Sequence, residues 1–338
     1  MNFNANRLRT SDRETSGGTI ATLGNPLGAA ETGLARSFAP RSNADLILGV
    51  GDEPSNVKEG AVPDNMAIFF AGGLVDGKGD SMPGFQTSRT DFDGYFLAGG
   101  VEIFPNDNTI LGASVYHSNL DADVVLGGTA ESTMWAGSVY GRTTTEGGVN
   151  FDAQASLSDY NTQTARTVSF LGNQQTLLSD DNGSGFSAGV GVSYDLPIGD
   201  ATITPGVEAR YANLSFGTVS ENGGVTALTV ERERYKSFQG RVGFDAHTND
   251  RQPLQLNISA DFVHEFESGP QVFQANFRNG SGAPAAFALA TTDQNWLELG
   301  IGANLDAGDI EFGIGMESTV GRSNAEAQTY TASATIRF

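Results

Sequence analysis

Cysteine is absent from the 338 residues, which excludes disulfide scaffolds, thiolate metal sites and cysteine nucleophiles. Long apolar runs are absent as well: the longest, Met66 to Val75, falls well short of the roughly 18 residues that a transmembrane helix needs. Basic residues are scarce, because 19 Lys plus Arg face 40 Asp plus Glu and the formal net charge is −21. Nucleic-acid binding depends on basic side chains that displace counterions, so this balance predicts no nucleic-acid partner.

Glycine, by contrast, is abundant at 44 residues, and much of it lies where apolar residues alternate with polar or small ones. Leu297, Leu299 and Ile301, for example, alternate with Glu298 and Gly300. Strict alternation predicts β-strands with one apolar face and one polar face. Twelve such segments are predicted, near residues 65–75, 90–104, 108–120, 131–142, 147–160, 183–196, 201–214, 229–246, 254–266, 292–305, 309–320 and 327–338.

The connections that follow even-numbered segments differ in length from those that follow odd-numbered segments. Those after the even-numbered segments are short and rich in Gly, Asn, Asp and Pro, which suits hairpin turns. Most of the others are longer, the two longest being 161–182 and 267–291. This pattern is typical of outer-membrane barrels. The sequence therefore predicts an all-β fold, a twelve-stranded antiparallel transmembrane β-barrel in the bacterial outer membrane, with a large soluble β-sandwich or solenoid as the alternative.

Charged residues of the predicted strands fall on the polar face, which such a barrel turns toward its lumen. A wet lumen tolerates both signs of charge, whereas Arg or Lys facing lipid costs about 2–4 kcal/mol at mid-membrane. The acidic residues outnumber the basic ones, which predicts an anionic lumen. The predicted lumen-lining residues are Glu102, Asp152, Glu208, Arg210, Arg241, Asp245, Asp261, Glu298, Glu311 and Glu317.

Residues 1–64 lack alternation and are predicted to form a separate segment with a linker ahead of the barrel at 65–338. Asn25-Pro26 suits the start of a helix, and apolar residues then recur at helical spacing, so an α-helix is predicted within about 25–50. A helix of about 10–12 Å diameter fits the lumen expected of twelve strands. The alternative is that residues 1–60 are an unstructured remnant. The predicted plug-helix residues are Leu27, Leu34, Arg36, Phe38 and Arg41.

The first residues, Met1 to Arg7, lack the apolar core of a signal peptide. Because the rest of the chain predicts an outer-membrane protein, we expect Met1 to begin a fragment of a longer secreted precursor.

Several stretches resemble the motifs of one known family. Residues 204–211 resemble its "TPY…xxY" strand, with Gly206 where an aromatic residue is common. Glu221, which follows Phe216, resembles its "F…E" loop, and residues 237–243 resemble its "S…RLG" strand.

Two further stretches complete the resemblance. Residues 262–266 resemble "W.HEF", with Phe262 in place of the tryptophan, and residues 335–338 resemble the C-terminal "xVRF" assembly signal. As a set these motifs resemble the translocator domain of autotransporters, the type V secretion system, over about residues 65–338.

The resemblance implies a monomeric barrel that periplasmic chaperones and the barrel assembly machinery insert among outer-membrane lipids. Its assembly signal would include Tyr330, Ile336 and Phe338. Its role would be to secrete or display its own N-terminal passenger, of which residues 1–64 would contain the stub and linker. A helix inside the barrel would connect the passenger to the first strand.

Residues that could carry chemistry are scattered along the chain. Gly79-Asp80-Ser81 could suggest a hydrolase, but the sequence has no downstream Asp-x-x-His partner for it. His117, close in sequence to Asp121 and Asp123, could suggest a protease, but we interpret it as a residue at the membrane interface. The sequence therefore predicts no enzyme activity, no metal site and no cofactor. Two functions stay open: a translocator, and a stand-alone outer-membrane pore or adhesin-like barrel whose long extracellular loops bind a ligand.

Overall fold

The structure, a computed structural model, describes residues 65–80, 89–106, 108–124, 128–170, 173–232, 234–248, 254–267, 272–280, 282–288, 293–322 and 325–338. The region 1–64, which contains the predicted helix at about 25–50, lies outside these residues. No helix in the described part of the chain is long and apolar enough to cross a membrane.

The described residues form strands connected by turns and loops. The strands are β1 (Met66–Asp80), β2 (Arg89–Asn106), β3 (Thr109–Val124), β4 (Gly128–Thr144), β5 (Val149–Phe170), β6 (Asn173–Tyr194), β7 (Leu196–Ile198), β8 (Ala201–Phe216), β9 (Val219–Ser220), β10 (Leu228–Arg232), β11 (Tyr235–Thr248), β12 (Leu254–Glu265), β13 (Val272–Phe277), β14 (Ala285–Ala288), β15 (Asn295–Asp306), β16 (Ile310–Val320) and β17 (Ala325–Arg337).

Twelve long strands close into one antiparallel barrel. The ring runs from β1 through β6 to β8, β11, β12, β15, β16 and β17. It closes where β17 pairs with β1, from Ala67 opposite Arg337 to Gly79 opposite Ala325. Because each of these twelve strands has two neighbours, the barrel has no edge strand with a row of unpaired N–H and C=O groups. The predicted twelve-stranded antiparallel barrel is confirmed.

The two faces of the barrel wall differ in polarity. Large apolar side chains on the outer face are exposed, by 68% for Leu157, 63% for Ile314 and 62% for Leu74. Many polar and charged side chains of the inner face are buried, Glu102 and Thr335 completely. An apolar exterior around a polar interior is the arrangement of a barrel that lipid surrounds.

Short hairpins lie at one end of the barrel, which we call the turn end. They include residues 145–148, 199–200 and 307–309. Gly148, Gly199 and Gly308 adopt positive φ angles of 79°, 65° and 85° in these hairpins, a conformation that glycine reaches without steric cost. The longer connections lie at the opposite end, the loop end.

Three predicted boundaries at the loop end are wrong. The link at 161–182 is mostly strand, because β5 continues to Phe170 and β6 starts at Asn173. The segment 229–246 is two strands, β10 and β11, and the link at 267–291 contains β13 and β14. Beyond the lipid-facing belt a strand needs no apolar face, so alternation cannot mark it.

Four short strands form a second sheet at the loop end, in the order β14-β13-β10-β9, which we call the loop sheet. Its small core consists of Val219, Val230 and Ala275. Two backbone hydrogen bonds between Leu178 of β6 and Asn222, of 2.9 and 2.8 Å, join the segment after β9 to the barrel wall. The loop that follows β8 and the loop that follows β12 thus form one sheet, and this sheet contacts the long β5–β6 hairpin.

Candidate functional site in the barrel lumen

The inner face of the barrel carries the residues that the sequence singles out. Nine of the ten residues predicted to line the lumen are buried, with exposure of 8% or less, and Glu208 is half-buried; the ten are Glu102, Asp152, Glu208, Arg210, Arg241, Asp245, Asp261, Glu298, Glu311 and Glu317. Alternation along each strand turns these side chains away from the exposed apolar face.

One cluster of these residues joins β8, β11 and β15, and it crosses β12, which lies between β11 and β15. Arg241 of β11 forms an ion pair with Glu298 of β15, and its Nε lies 4.0 Å from Oε2 of Glu208 on β8. Glu298 also accepts a hydrogen bond of 2.7 Å from Nε1 of Trp296. The Arg241 guanidinium also donates a hydrogen bond of 3.3 Å to the side-chain oxygen of Gln239. The cluster therefore pairs its buried charges, as buried charges require.

Two further ion pairs lie elsewhere on the inner face. Arg142 of β4 is directly opposite Asp152 of β5, with Nε 3.6 Å from Oδ1. Arg337 of β17 pairs with Glu311 of β16 and lies 3.8 Å from Asp306. Arg142 was not predicted to be an interior residue, although the alternation along β4 places it on the same face as Tyr140 and Thr144.

The buried ionisable residues give the interior an excess of negative charge. Among the described residues of the barrel, four buried arginines, Arg142, Arg210, Arg241 and Arg322, face nine buried carboxylates. Such an interior attracts cationic side chains of any segment that enters it. The nine carboxylates are Glu102, Asp152, Asp181, Asp245, Asp261, Glu265, Glu298, Glu311 and Glu317.

Large side chains crowd one side of the lumen. They are buried side chains of β2 to β5, and we call the inner face of these strands the aromatic wall: Phe92, Phe96, Tyr116, Met134, Tyr140 and Tyr160. Several of these rings lie over glycines of a neighbouring strand. The Phe96 ring, for instance, lies where a Cβ on Gly73 would approach within 2.6 Å.

Glu265, in the stretch that resembles "W.HEF", is buried at the loop end of β12. Its carboxylate accepts hydrogen bonds from the Ser237 hydroxyl at 2.5 Å and from the Phe238 amide at 2.8 Å. Nearby, the Arg322 guanidinium lies 4.2 Å above the ring of buried Trp296. Glu265 thus joins β12 to β11, and Arg322 joins the segment after β16 to β15.

Glu221, in the stretch that resembles the "F…E" loop, connects the loop sheet to the β5–β6 hairpin. Its two carboxylate oxygens accept hydrogen bonds of 2.5 and 2.7 Å from Arg166 of β5. The carboxylate also accepts a hydrogen bond of 2.8 Å from the Leu228 amide of β10. Glu221 is 3% exposed, so this two-pronged ion pair is largely shielded from water.

The residues predicted to form the assembly signal lie on β17 and directly after it. Tyr330 and Phe338 are exposed, by 44% and 40%, and Ile336 is half-buried. His117 lies between the rings of Tyr95 and Trp135, at centroid distances of 6.2 and 4.5 Å. Among the described residues, no group of three or more His, Cys, Asp or Glu side chains could hold a metal ion.

Comparison with protein families decides what this barrel is. The model of the autotransporter beta-domain matches residues 70–316, which is most of the chain. The chain belongs to the autotransporter beta-domain family. This family is a transport domain rather than a catalytic one, and its barrels lie in the bacterial outer membrane. The turn end of an autotransporter beta-domain is accordingly periplasmic and the loop end extracellular.

Solved structures share the fold of this autotransporter beta-domain. The translocator domain of NalP from Neisseria meningitidis matches with a TM-score of 0.67 at 12% identity, over 82% of this chain and 90% of that one. The beta domain of the Bordetella autotransporter BrkA matches with a TM-score of 0.54 at 12% identity, over 81% and 100%. The toluene transporter TbuX of Ralstonia pickettii matches with 0.52 at 10% identity, over 82% and 90%. At such identities the likeness shows the fold alone. A comparison with curated protein sequences finds no match.

Proposed function

We propose that the barrel is the translocator that secretes or displays an N-terminal passenger across the outer membrane. The position of β1 carries this proposal: β1 begins at Met66 beside the end of β17, where the Phe338 amide donates to the Met66 carbonyl at 3.2 Å. The chain that precedes β1 therefore reaches the barrel at its periplasmic end. A passenger attached there has the polar, anionic lumen as its route outward.

The proposal includes the plug helix at about 25–50. Arg36 and Arg41 would meet the carboxylates of the interior, where ion pairs are less screened than at a surface. The helix would then close the lumen after export. The partners that follow are the passenger, periplasmic chaperones, the barrel assembly machinery and outer-membrane lipids, and the barrel acts as a monomer.

Surface display tests the export. A signal peptide and an epitope are attached ahead of Asn2, the protein is expressed in a Gram-negative host, and protease is added to intact cells. We expect the epitope to be removed while a periplasmic marker protein stays intact. An epitope that stays protected although the barrel is folded in the outer membrane would favour the stand-alone pore instead.

Conductance tests the plug. Replacing Arg36 and Arg41 together by glutamine should raise the single-channel conductance of the purified barrel in lipid bilayers, because the charge pairing with the interior is lost. Arg7 and Arg9, which lie outside the predicted helix, provide the matched control. Equal conductance in both double variants would mean that charge pairing does not hold a plug.

A further inference from the structure

On the side of the barrel opposite β4 to β6, the inner face carries small side chains. Three neighbouring strands there carry only glycine, serine and threonine at two consecutive inward positions, and we call this surface the thin wall: Gly300 and Gly302 of β15, Gly313 and Gly315 of β16, and Thr331 and Ser333 of β17. The register aligns them, with Gly315 between Gly302 and Thr331.

Buried hydroxyls on the thin wall lack hydrogen-bond partners within the described part of the protein. Thr331 is 5% exposed, and Thr335, the next inward residue after Ser333, is fully buried. The hydroxyl oxygens of all three residues are shielded from solvent without a hydrogen bond to any described residue. A buried polar group without a partner is costly, so these hydroxyls indicate a polar ligand inside the barrel.

The aromatic wall cannot offer the same surface. Its phenylalanine, tyrosine and methionine side chains already fill the space above the glycines of neighbouring strands. The hydroxyls of Tyr140 and Tyr160 already donate hydrogen bonds to other barrel strands, to Glu102 of β2 at 2.5 Å and to the Ser215 carbonyl of β8 at 3.1 Å. A segment about as wide as a helix therefore finds room off-centre, against the thin wall.

We propose that the thin wall is the seat of this chain's own segment at about 25–50. The segment enters beside the thin wall, since β1 begins at Met66 next to β17. It is rich in glycine and alanine between Gly24 and Ala39, and small residues on both partners allow two backbones to approach closely. Serine and threonine hydroxyls both donate and accept, so they suit the polar groups of Thr32 or Ser37. This inference rests on the proposed function, because it assumes that the segment occupies the lumen.

Disulfide cross-linking in the full chain tests the seat, because the protein has no cysteine of its own. One cysteine replaces Thr32, Gly33, Leu34 or Ala35 in turn, so that every side of a helix is sampled. The second cysteine is either Ser333→Cys on the thin wall or Ser187→Cys on β6, which is six strands away around the ring in both directions. Mobility of the unfolded chain without reductant reports the cross-link, and heat-dependent mobility of the unheated sample reports that the barrel is folded.

We expect at least one segment position to give several-fold more cross-link with Ser333→Cys than with Ser187→Cys. Preferential cross-linking to Ser187→Cys, or no cross-link to either in a folded barrel, would overturn the inference. The surface-display experiment distinguishes the two proposals: an exported epitope without a cross-link to the thin wall removes the seat but keeps the translocator. A cross-link without export keeps the seat and removes the translocator.

Discussion

Tyr140 of β4 reaches across a whole strand to bind Glu102 of β2. Its ring lies over Gly112 of β3, and its hydroxyl donates a hydrogen bond of 2.5 Å to the buried Glu102 carboxylate. Tyr160 of β5 does the same on the other side, crossing Gly183 of β6 to reach the Ser215 carbonyl of β8 at 3.1 Å. Each tyrosine thus ties three strands together, and glycine in the middle strand makes the crossing possible.

The crossing predicts that Gly112→Ala destabilises the barrel. A Cβ at position 112 would lie 2.1 Å from Cζ of Tyr140, so the ring and its hydrogen bond to Glu102 must move. Overpacking of this kind costs about 1–3 kcal/mol. Urea unfolding of the purified barrel in detergent measures the free energy of unfolding. Gly137→Ala is the control, because a Cβ there has its nearest neighbour at 4.0 Å. Equal effects of the two variants would contradict the prediction.

The cluster around Arg241 predicts strong coupling with Glu298. Both side chains are buried, at 1% and 3% exposure, so Arg241→Met leaves the carboxylate without its cation. Breaking a buried pair in this way typically costs about 3–5 kcal/mol. The double variant Arg241→Met with Glu298→Gln removes both charges and should recover part of the lost stability. A double-mutant cycle from urea unfolding measures the coupling, and additive effects would show that the pair does not stabilise the barrel.

The twelve barrel strands could be predicted from the sequence because lipid requires apolar residues on the outer face, and these alternate with inward-facing residues. Residues such as Leu299 and Ile301 must be apolar, while Glu298 and Gly300 face the interior, so the period of two stays visible. At the extracellular end this rule disappears. Gln163 and Thr164, on opposite faces, continue β5 beyond the lipid-facing belt, where polar residues on both faces are tolerated, so a loop was predicted there.

The partners in long-range ion pairs could not be predicted from the sequence, for a different reason. The pairing of Arg166 with Glu221 and of Arg241 with Glu298 depends on the register of strands far apart in the chain. Alternation shows on which face a residue lies but not which residue stands opposite it. The loop sheet was missed because β9 and β14 have only two and four residues, too few for a periodic pattern.

Glu221 predicts how firmly the loop sheet is attached. Glu221→Gln keeps the shape of the side chain but loses the charge that binds Arg166 through two hydrogen bonds. We expect trypsin to cleave several-fold faster after Arg234 or Arg278 in intact cells, while the barrel stays folded. Glu231→Gln, an exposed carboxylate on β10 of the same sheet, is the matched control. Unchanged cleavage in Glu221→Gln would mean that other contacts hold the sheet in place.

Carboxylates on the outer face of β1 to β4 form a row toward the extracellular end. Asp93 lies opposite both Asp76 and Asp121, and Asp121 lies opposite Glu131. Like charges directly opposite each other destabilise a sheet, by about 0.2–1 kcal/mol for a pair. Asp121→Asn should therefore raise the free energy of unfolding at low salt, because it removes repulsion from two neighbours at once.

Salt and a matched variant make this last prediction specific. The repulsion acts between exposed charges, so the gain from Asp121→Asn should shrink as the ionic strength approaches about 1 M, where the screening length is roughly 3 Å. Asp159 of β5 is the control, since it is also exposed but its opposite residues, Trp135 and Ser184, are uncharged. Asp159→Asn should then change stability little and without salt dependence. A gain that is equal in both variants, or equal at low and high salt, would show that the row of carboxylates is not a source of strain in the folded barrel.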